Sequence, residues 1–437
     1  MTGDGNENVT DSDYSYSPAE QGWLFSIVAV GQIIGTIALP YSISHFQVRK
    51  TFTVYGLISA IATLLTPLCA YIGFLPLLLM RLLQGFATST SFTGMGSITS
   101  QWSTIKESGL FLALLSCHLQ FGNIFTMPIA GALCESSWGW SSLYYLQGIL
   151  TILCFIMFYI FYRDDPYWHW FVSNKELNRI ERGKISIASR DSNTSKNHQH
   201  AKIPYKAILT DKIVWGIVIG VIGIQLGYFL FVQFGPVYMN KVLKFDIKST
   251  GYGTALPHVI SIIVKIIAGP LSDHLSCVST KTNVKIFMTT ANVLLAFGTL
   301  SLVFITHEYP VLAQIAFIIV ISFCGINSVG GMKAVQLISQ QYSHIIMIVV
   351  TFFTSVIILI LPLVIAILAP DNTHGQWQTI FIGVTIIVVI CMFVFNFMAE
   401  VEPRPWIGNS TKNLQVYQVP VTKLDIEEKD REKINNF

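Results

Sequence analysis

The stretch IVWGIVIGVIGIQLGYFLFVQFGP, residues 213–236, carries no charged side chain from end to end. A bilayer's hydrocarbon core, about 30 Å thick, needs roughly 20 apolar residues in a helix rising 1.5 Å each, and this segment is long enough. Its backbone amides would meet no water at that depth, so a helix that satisfies its own hydrogen bonds is the available conformation. Ten further stretches read the same way: 22–43, 52–73, 75–97, 109–133, 142–162, 250–270, 285–306, 311–331, 345–369 and 377–399. The composition agrees, with 52% of the 437 residues hydrophobic, 12% charged and a mean hydropathy of +0.57, outside the soluble range. The expected fold class is an all-α polytopic membrane protein of about eleven transmembrane helices.

Tryptophans and basic residues set the expected register and orientation. All nine tryptophans, Trp102, Trp215 and Trp377 among them, fall at or beyond span ends, where indole favours the headgroup region. Arg49 and Lys50 follow the first span, and the polar stretch after Arg163 runs through Lys175, Arg179, Arg182, Lys202 and Lys212. Opposite turns are poor in base apart from Lys241, Lys244 and Lys248. The positive-inside rule then puts the N-terminus in the exoplasmic space and the C-terminus in the cytosol. The expected organisation is an exoplasmic N-terminus (1–21), a five-span bundle (22–163), a basic cytosolic linker (164–212), a six-span bundle (213–399) and a cytosolic tail (400–437). In this topology Asn8, in the sequon Asn8-Val9-Thr10, is a glycosylation candidate, whereas the sequons at Asn193 and Asn409 face the cytosol.

Other function classes find little support. No Gly-x-x-x-x-Gly-Lys-Ser/Thr loop is present to drive work with ATP. No nucleophile constellation suggests an enzyme, and no cofactor, metal or nucleic-acid partner is expected. The seven cysteines show no Cys-x-x-Cys pair and read as small buried hydrophobes. Ser173-Asn174-Lys175-Glu176 reads as a cap opening a short amphipathic helix in the linker.

The two halves resemble each other. In the second, Gly269-Pro270-Leu271-Ser272-Asp273-His274 forms a Gly-x-x-x-Asp turn: the glycine lets helices approach, and the aspartate can cap a neighbouring helix N-terminus. The first half carries a faint copy, Pro40-Tyr41-Ser42-Ile43-Ser44-His45, after its first span rather than its second. Register and count together, five spans against six, give the expectation that one helix is missing at the N-terminal end.

Met80-Arg81-Leu82-Leu83-Gln84-Gly85-Phe86, with Trp102 and Lys106-Glu107-Ser108 beyond, resembles the fourth helix and following turn of the anion–cation symporter family. That family of the major facilitator superfamily includes sialin, the vesicular glutamate transporters and the type I sodium–phosphate cotransporters. Met127-Pro128-Ile129-Ala130-Gly131, Gly139-Trp140-Ser141-Ser142-Leu143-Tyr144-Tyr145, Pro236-Val237-Tyr238, Ala255-Leu256-Pro257-His258 and the Gly269–Asp273 turn continue the resemblance from about 20 to 400. Gly330-Gly331-Met332-Lys333 is similar to the nematode branch. The resemblance implies a two-bundle fold and secondary transport of a small organic or inorganic anion, with H+ or Na+ as the coupling ion. The rival readings are a non-transporting receptor or scaffold and an uncoupled anion uniporter.

The resemblance also places Arg81 toward a substrate cavity. An intramembrane guanidinium costs roughly 2.5–3.5 kcal/mol on insertion scales and calls for a partner or a role, and its planar fork suits a carboxylate or phosphate. Thr88, His118, Gln225, Tyr228 and Asn327 are further candidate substrate contacts, each with a plainer reading as an interhelical or same-helix hydrogen-bonding group. Gly269 and Asp273 are the candidate conformational latch, and Lys265 the candidate charge partner, within expected reach of Asp273 or of headgroups. The chain departs from the family pattern at Thr88, where symporting relatives carry an acid, at Phe25, where a histidine is expected, and at Ile224, where some members have arginine.

Overall fold

The computed structural model describes residues 18–104, 107–134, 136–181, 203–245, 247–275 and 277–409. Asn8, Lys106, residues 182–202 of the linker and the tail beyond residue 409 lie outside them. Among the described residues the regular elements are helical. Eight helical stretches are long and apolar enough to cross a bilayer. Two of these, Gly22–Ile72 and Pro310–Leu368, run 51 and 59 residues, each enough for two crossings of roughly 20.

The first half begins with α1 (Pro18–Ile72), whose two arms meet at Gln47, held at φ 63° in the region L-residues avoid. Then follow α2 (Phe74–Thr88) and α3 (Thr90–Trp102), in line but interrupted at Ser89. Next come α4 (Ser108–Ser116) and α5 (His118–Cys134), interrupted at Cys117, and α6 (Ser141–Phe161). The expected linker helix is α7 (Asn174–Glu181), opened by Ser173 Oγ accepting from Glu176 N–H at 3.2 Å. Its Leu177 and Ile180 are buried and its polar face is outward, the amphipathic division the sequence suggested.

The second half starts at α8 (Tyr205–Thr210) and α9 (Lys212–Val237). Asp211 caps α9 through Ile213 N–H at 2.9 Å and also receives Arg404 Nε at 2.8 Å and Trp406 Nε1 at 3.0 Å. Beyond lie α10 (Ile247–His274), α11 (Thr280–Phe304), α12 (Pro310–Cys324) and α13 (Gly331–Ser339). A 3₁₀ turn, Gly325–Ser328, separates α12 from α13. The expected span 311–331 therefore stopped short, because the helical path resumes after this turn and continues to Ser339. After Gln340 (φ 44°) come α14 (Ser343–Leu368), α15 (His374–Met398) and α16 (Pro405–Asn409). A capping box of Thr373 and Gln376 opens α15.

Apolar burial does not distinguish helix from lipid tail, so close packing and hydrogen bonds decide which faces meet. Ile149, Leu153 and Met157 of α6 and Ile390, Phe393 and Phe397 of α15 stay exposed, as lipid-facing side chains would. In contrast, α1 and α2 touch through backbone. A Cβ at Gly31 would overlap Leu82 O, one at Gly35 would overlap Phe86 O, and one at Gly85 would overlap Val28 O. Gly31-x-x-x-Gly35 is a small-residue stripe, and it brings α2 with Arg81 against the first arm of α1. The two halves meet along α10 against α4 and α5, and along α14 against α1 and α3.

Candidate functional site

A cavity of about 30 Å³ lies between the halves. Ser116, Gln120, Gln225, Tyr228, Lys265 and Asn327 give it its polar wall, and Phe92, Met95 and Met332 the apolar remainder. One water needs about 10–15 Å³ on this measure, so a couple of waters fit and an organic solute does not. Its polar lining residues are buried. Helical spacing explains the convergence: Gln225 and Tyr228 are three apart on α9, and Ser261 and Lys265 four apart on α10, so each pair shares a face. Two of the lining amides hold unused groups, Gln225 Nε2 and Asn327 Oδ1, buried without a partner in the chain.

Lys265 is 2% exposed. Its ammonium donates to Gln120 Oε1 at 2.7 Å and to Ser116 O at 3.0 Å, both across the interface on the other half. The stem passes over Gly325, where an added Cβ would come within 2.8 Å of Lys265 Cε and of Ser261 Oγ, so the 3₁₀ turn and its glycine leave room for the lysine. The expected pairing of Lys265 with Asp273 or with headgroups is not what forms. Eight residues of helix separate the two, about 12 Å, and the side chain turns inward.

The partner of Asp273 is instead Lys333, with Nζ to Oδ1 at 2.6 Å and both side chains about 95% or more buried. The same carboxylate accepts Gly109 N–H at 3.1 Å through Oδ1 and Leu110 N–H at 2.8 Å through Oδ2. Those are first-turn amides of α4, which have no partner within their own helix and lie at its positive end. Gly269, one turn earlier, makes the approach feasible: a Cβ there would sit 3.1 Å from Ala113 Cβ and from Leu110 Cα. One carboxylate thus joins α4, α10 and α13. Across the pseudo-repeat, Ser343 Oγ donates to Gly96 O at 2.9 Å, tying α14 to α3.

Arg81 does not line the cavity. It is half-buried on α2, with Nη2 donating to Tyr144 OH at 2.8 Å and Nη1 lying 3.4 Å from Gln84 Oε1, and its Nε is buried without a partner. Positions 81, 88, 92 and 95 fall within about 60° on a helical wheel, so Arg81 and Thr88 lead along one face toward the Phe92 and Met95 of the cavity. Thr88 is exposed and its hydroxyl bonds back to Gly85 O at 2.7 Å. His118 is exposed beside the α4–α5 interruption, with Nδ1 2.7 Å from Leu115 O and Nε2 2.5 Å from Ser91 Oγ. The structure therefore gathers Gln225, Tyr228, Asn327 and Lys265, and leaves Arg81, Thr88 and His118 outside the cavity.

The family model described as Major Facilitator Superfamily matches residues 9–357. The chain belongs to that superfamily. Human sialin is 26% identical to this superfamily member over 407 residues, 92% of this chain and 80% of sialin. Vesicular glutamate transporter 1 of Xenopus tropicalis is 24% identical, covering 91% and 68%. Sodium-dependent phosphate transport protein 1 of Mus musculus is 23% identical, covering 92% and 84%. Within the superfamily these relatives place the chain in the anion–cation symporter family, a family of transporters and not of enzymes. Among solved structures, the proton:xylose symporter XylE bound to 6-bromo-6-deoxy-D-glucose superposes with a TM-score of 0.67 at 13% identity, covering 89% of each chain. That likeness shows the major facilitator fold.

The sequence did not point to Lys333 as the partner of Asp273. That lysine stood just past the expected span end, where a lysine reads as a loop charge. Nor did the sequence pair Lys265 with Ser116 and Gln120, because Lys265 was expected to reach Asp273 or headgroups.

Proposed function

We propose that the chain carries a small organic or inorganic anion across its membrane by alternating access, with eleven crossings, an exoplasmic N-terminus and a cytosolic C-terminus. The observation that carries the reading is the buried cavity between the halves, where a cation and unpartnered amides lie at the interface of the two bundles. Relatives named for glutamate and phosphate support an anion as cargo. Gln225, Tyr228 and Asn327 are assigned to the occluded site. Arg81, with Thr88 and His118, is assigned to the approach on the exoplasmic side, and Asp273 with Gly269 to the latch at the cytosolic end.

The test is uptake into proteoliposomes of the purified chain, with glutamate, inorganic phosphate and simple carboxylates offered under pH, sodium and voltage gradients. Gradient-driven accumulation of at least one anion is expected. A folded, monodisperse preparation that moves none of them would end the proposal. Arg81→Ala is expected to lower uptake about 10- to 100-fold, the equivalent of one charge-assisted hydrogen bond, with Arg81→Lys keeping a fraction. Unchanged uptake by a correctly inserted Arg81→Ala protein would remove Arg81 from the pathway.

A further inference from the structure

Lys265 is enclosed without a counter-charge. Its two bonds go to neutral oxygens, Gln120 Oε1 and Ser116 O, and an ammonium has three donors. The titratable groups around it are Cys117 at the α4–α5 interruption, neighbouring His118, Tyr228 of α9, Cys324 of α12 and His258 on its own helix. None is a carboxylate, and among the described residues Lys265 makes no ion pair, whereas the equally buried Lys333 has Asp273. A buried ammonium without an anion is unfavourable, so either an anion joins it or a proton leaves it. The same cavity holds a free donor group at Gln225 Nε2 and a free acceptor at Asn327 Oδ1. These are spare polar groups where a bound solute would use them.

We propose that Lys265 is where anion and proton are loaded together, an assignment that rests on the transport reading above. In the loaded form the amine has taken one proton from the medium and its ammonium pairs with a carboxylate or phosphate-type oxygen of the solute. On release the anion and that proton both leave to the opposite side. The carrier then returns with a neutral amine, which still donates to Gln120 Oε1 and Ser116 O. One proton accompanies each anion, so a monoanion moves without net charge. Thr88, one turn and more after Arg81, has no proton to exchange, and Lys265 on the opposite half carries the coupling.

The experiment uses the full chain as wild type, Lys265→Met and Lys265→Arg. Uptake of glutamate and of phosphate is followed with a trapped pH dye, alongside melting temperature with and without each anion. Lys265→Met replaces an uncompensated buried charge by an apolar side chain of similar length, so it should fold at least as stably as wild type. It should lose both uptake and the anion-induced rise in melting temperature. Lys265→Arg stays charged, so it should keep anion exchange but lose pH-driven accumulation at least 10-fold. Wild-type uptake should be independent of voltage for a monoanion. Lys265→Met with wild-type uptake and pH dependence overturns this assignment while leaving transport intact. An anion-induced melting shift that depends on Lys265, in a wild type that transports nothing, upholds the anion site and overturns transport and coupling. No shift and no uptake overturns both proposals.

Discussion

Asp273→Ala is expected to destabilise the protein by about 3–5 kcal/mol, the usual cost of removing one partner from a buried pair and stranding the other charge. Lys333 would be left nearly fully enclosed, and Gly109 and Leu110 would lose the acceptor of their first-turn N–H groups. The pair's net worth is a separate matter, since a buried ion pair and an apolar pair of similar volume are often near parity. The double variant Asp273→Leu/Lys333→Met should therefore regain most of the lost stability. It should not regain the tie between α4 and α10, so a cysteine near Leu110 would label from the cytosolic side faster than in wild type. Unfolding free energies of Asp273→Leu, Lys333→Met and the double variant make a thermodynamic cycle. If the losses are simply additive, the pair is not coupled and the latch assignment goes with it.

Gly85→Val should be the other severe change, costing upward of about 3 kcal/mol as an overpacked contact with no side chain able to yield. The atoms in the way are Val28 O, C and Cα, all backbone. Relief requires α1 and α2 to separate along Gly31 and Gly35, which would also shift Arg81. The expected result is aggregated or low-yield protein by fluorescence-detected size exclusion, with Gly85→Ala milder. Gly122 on α5, with open space around its Cβ, is the control, and Gly122→Ala should change little. A well-behaved Gly85→Val protein would mean that the helices are not in backbone contact.

Most helix ends were legible because hydropathy and the residues that stop helices act locally. The span expected at 142–162 is α6 at Ser141–Phe161, and 213–236 is α9 at Lys212–Val237. The interruptions at Ser89, Cys117 and Gly325–Ser328 were not legible, since each lies inside a segment of spanning length and side-chain hydropathy says nothing about which backbone bonds lapse. The same difference runs through the site. Gln225, Tyr228 and Asn327 stood out as polar side chains in apolar surroundings. Lys333 did not, because its role depends on a helix resuming after a 3₁₀ turn. Asp273 was readable from the Gly-x-x-x-Asp spacing, but its partner needed three dimensions. Gly31-x-x-x-Gly35 is visible in the sequence as a small-residue spacing, but which helix it meets is set by the fold.

The three lapses in helical bonding have a consequence for how such a molecule would change shape. Each borders the enclosed chamber: Ser89 just ahead of Phe92, Cys117 beside Ser116, and Gly325–Ser328 within its wall. They form a waist of short rods meeting end to end, so the upper and lower segments can tilt separately rather than as full-length pillars. Amide deuteration should then be quickest in that girdle, ahead of the intact α9 and α15.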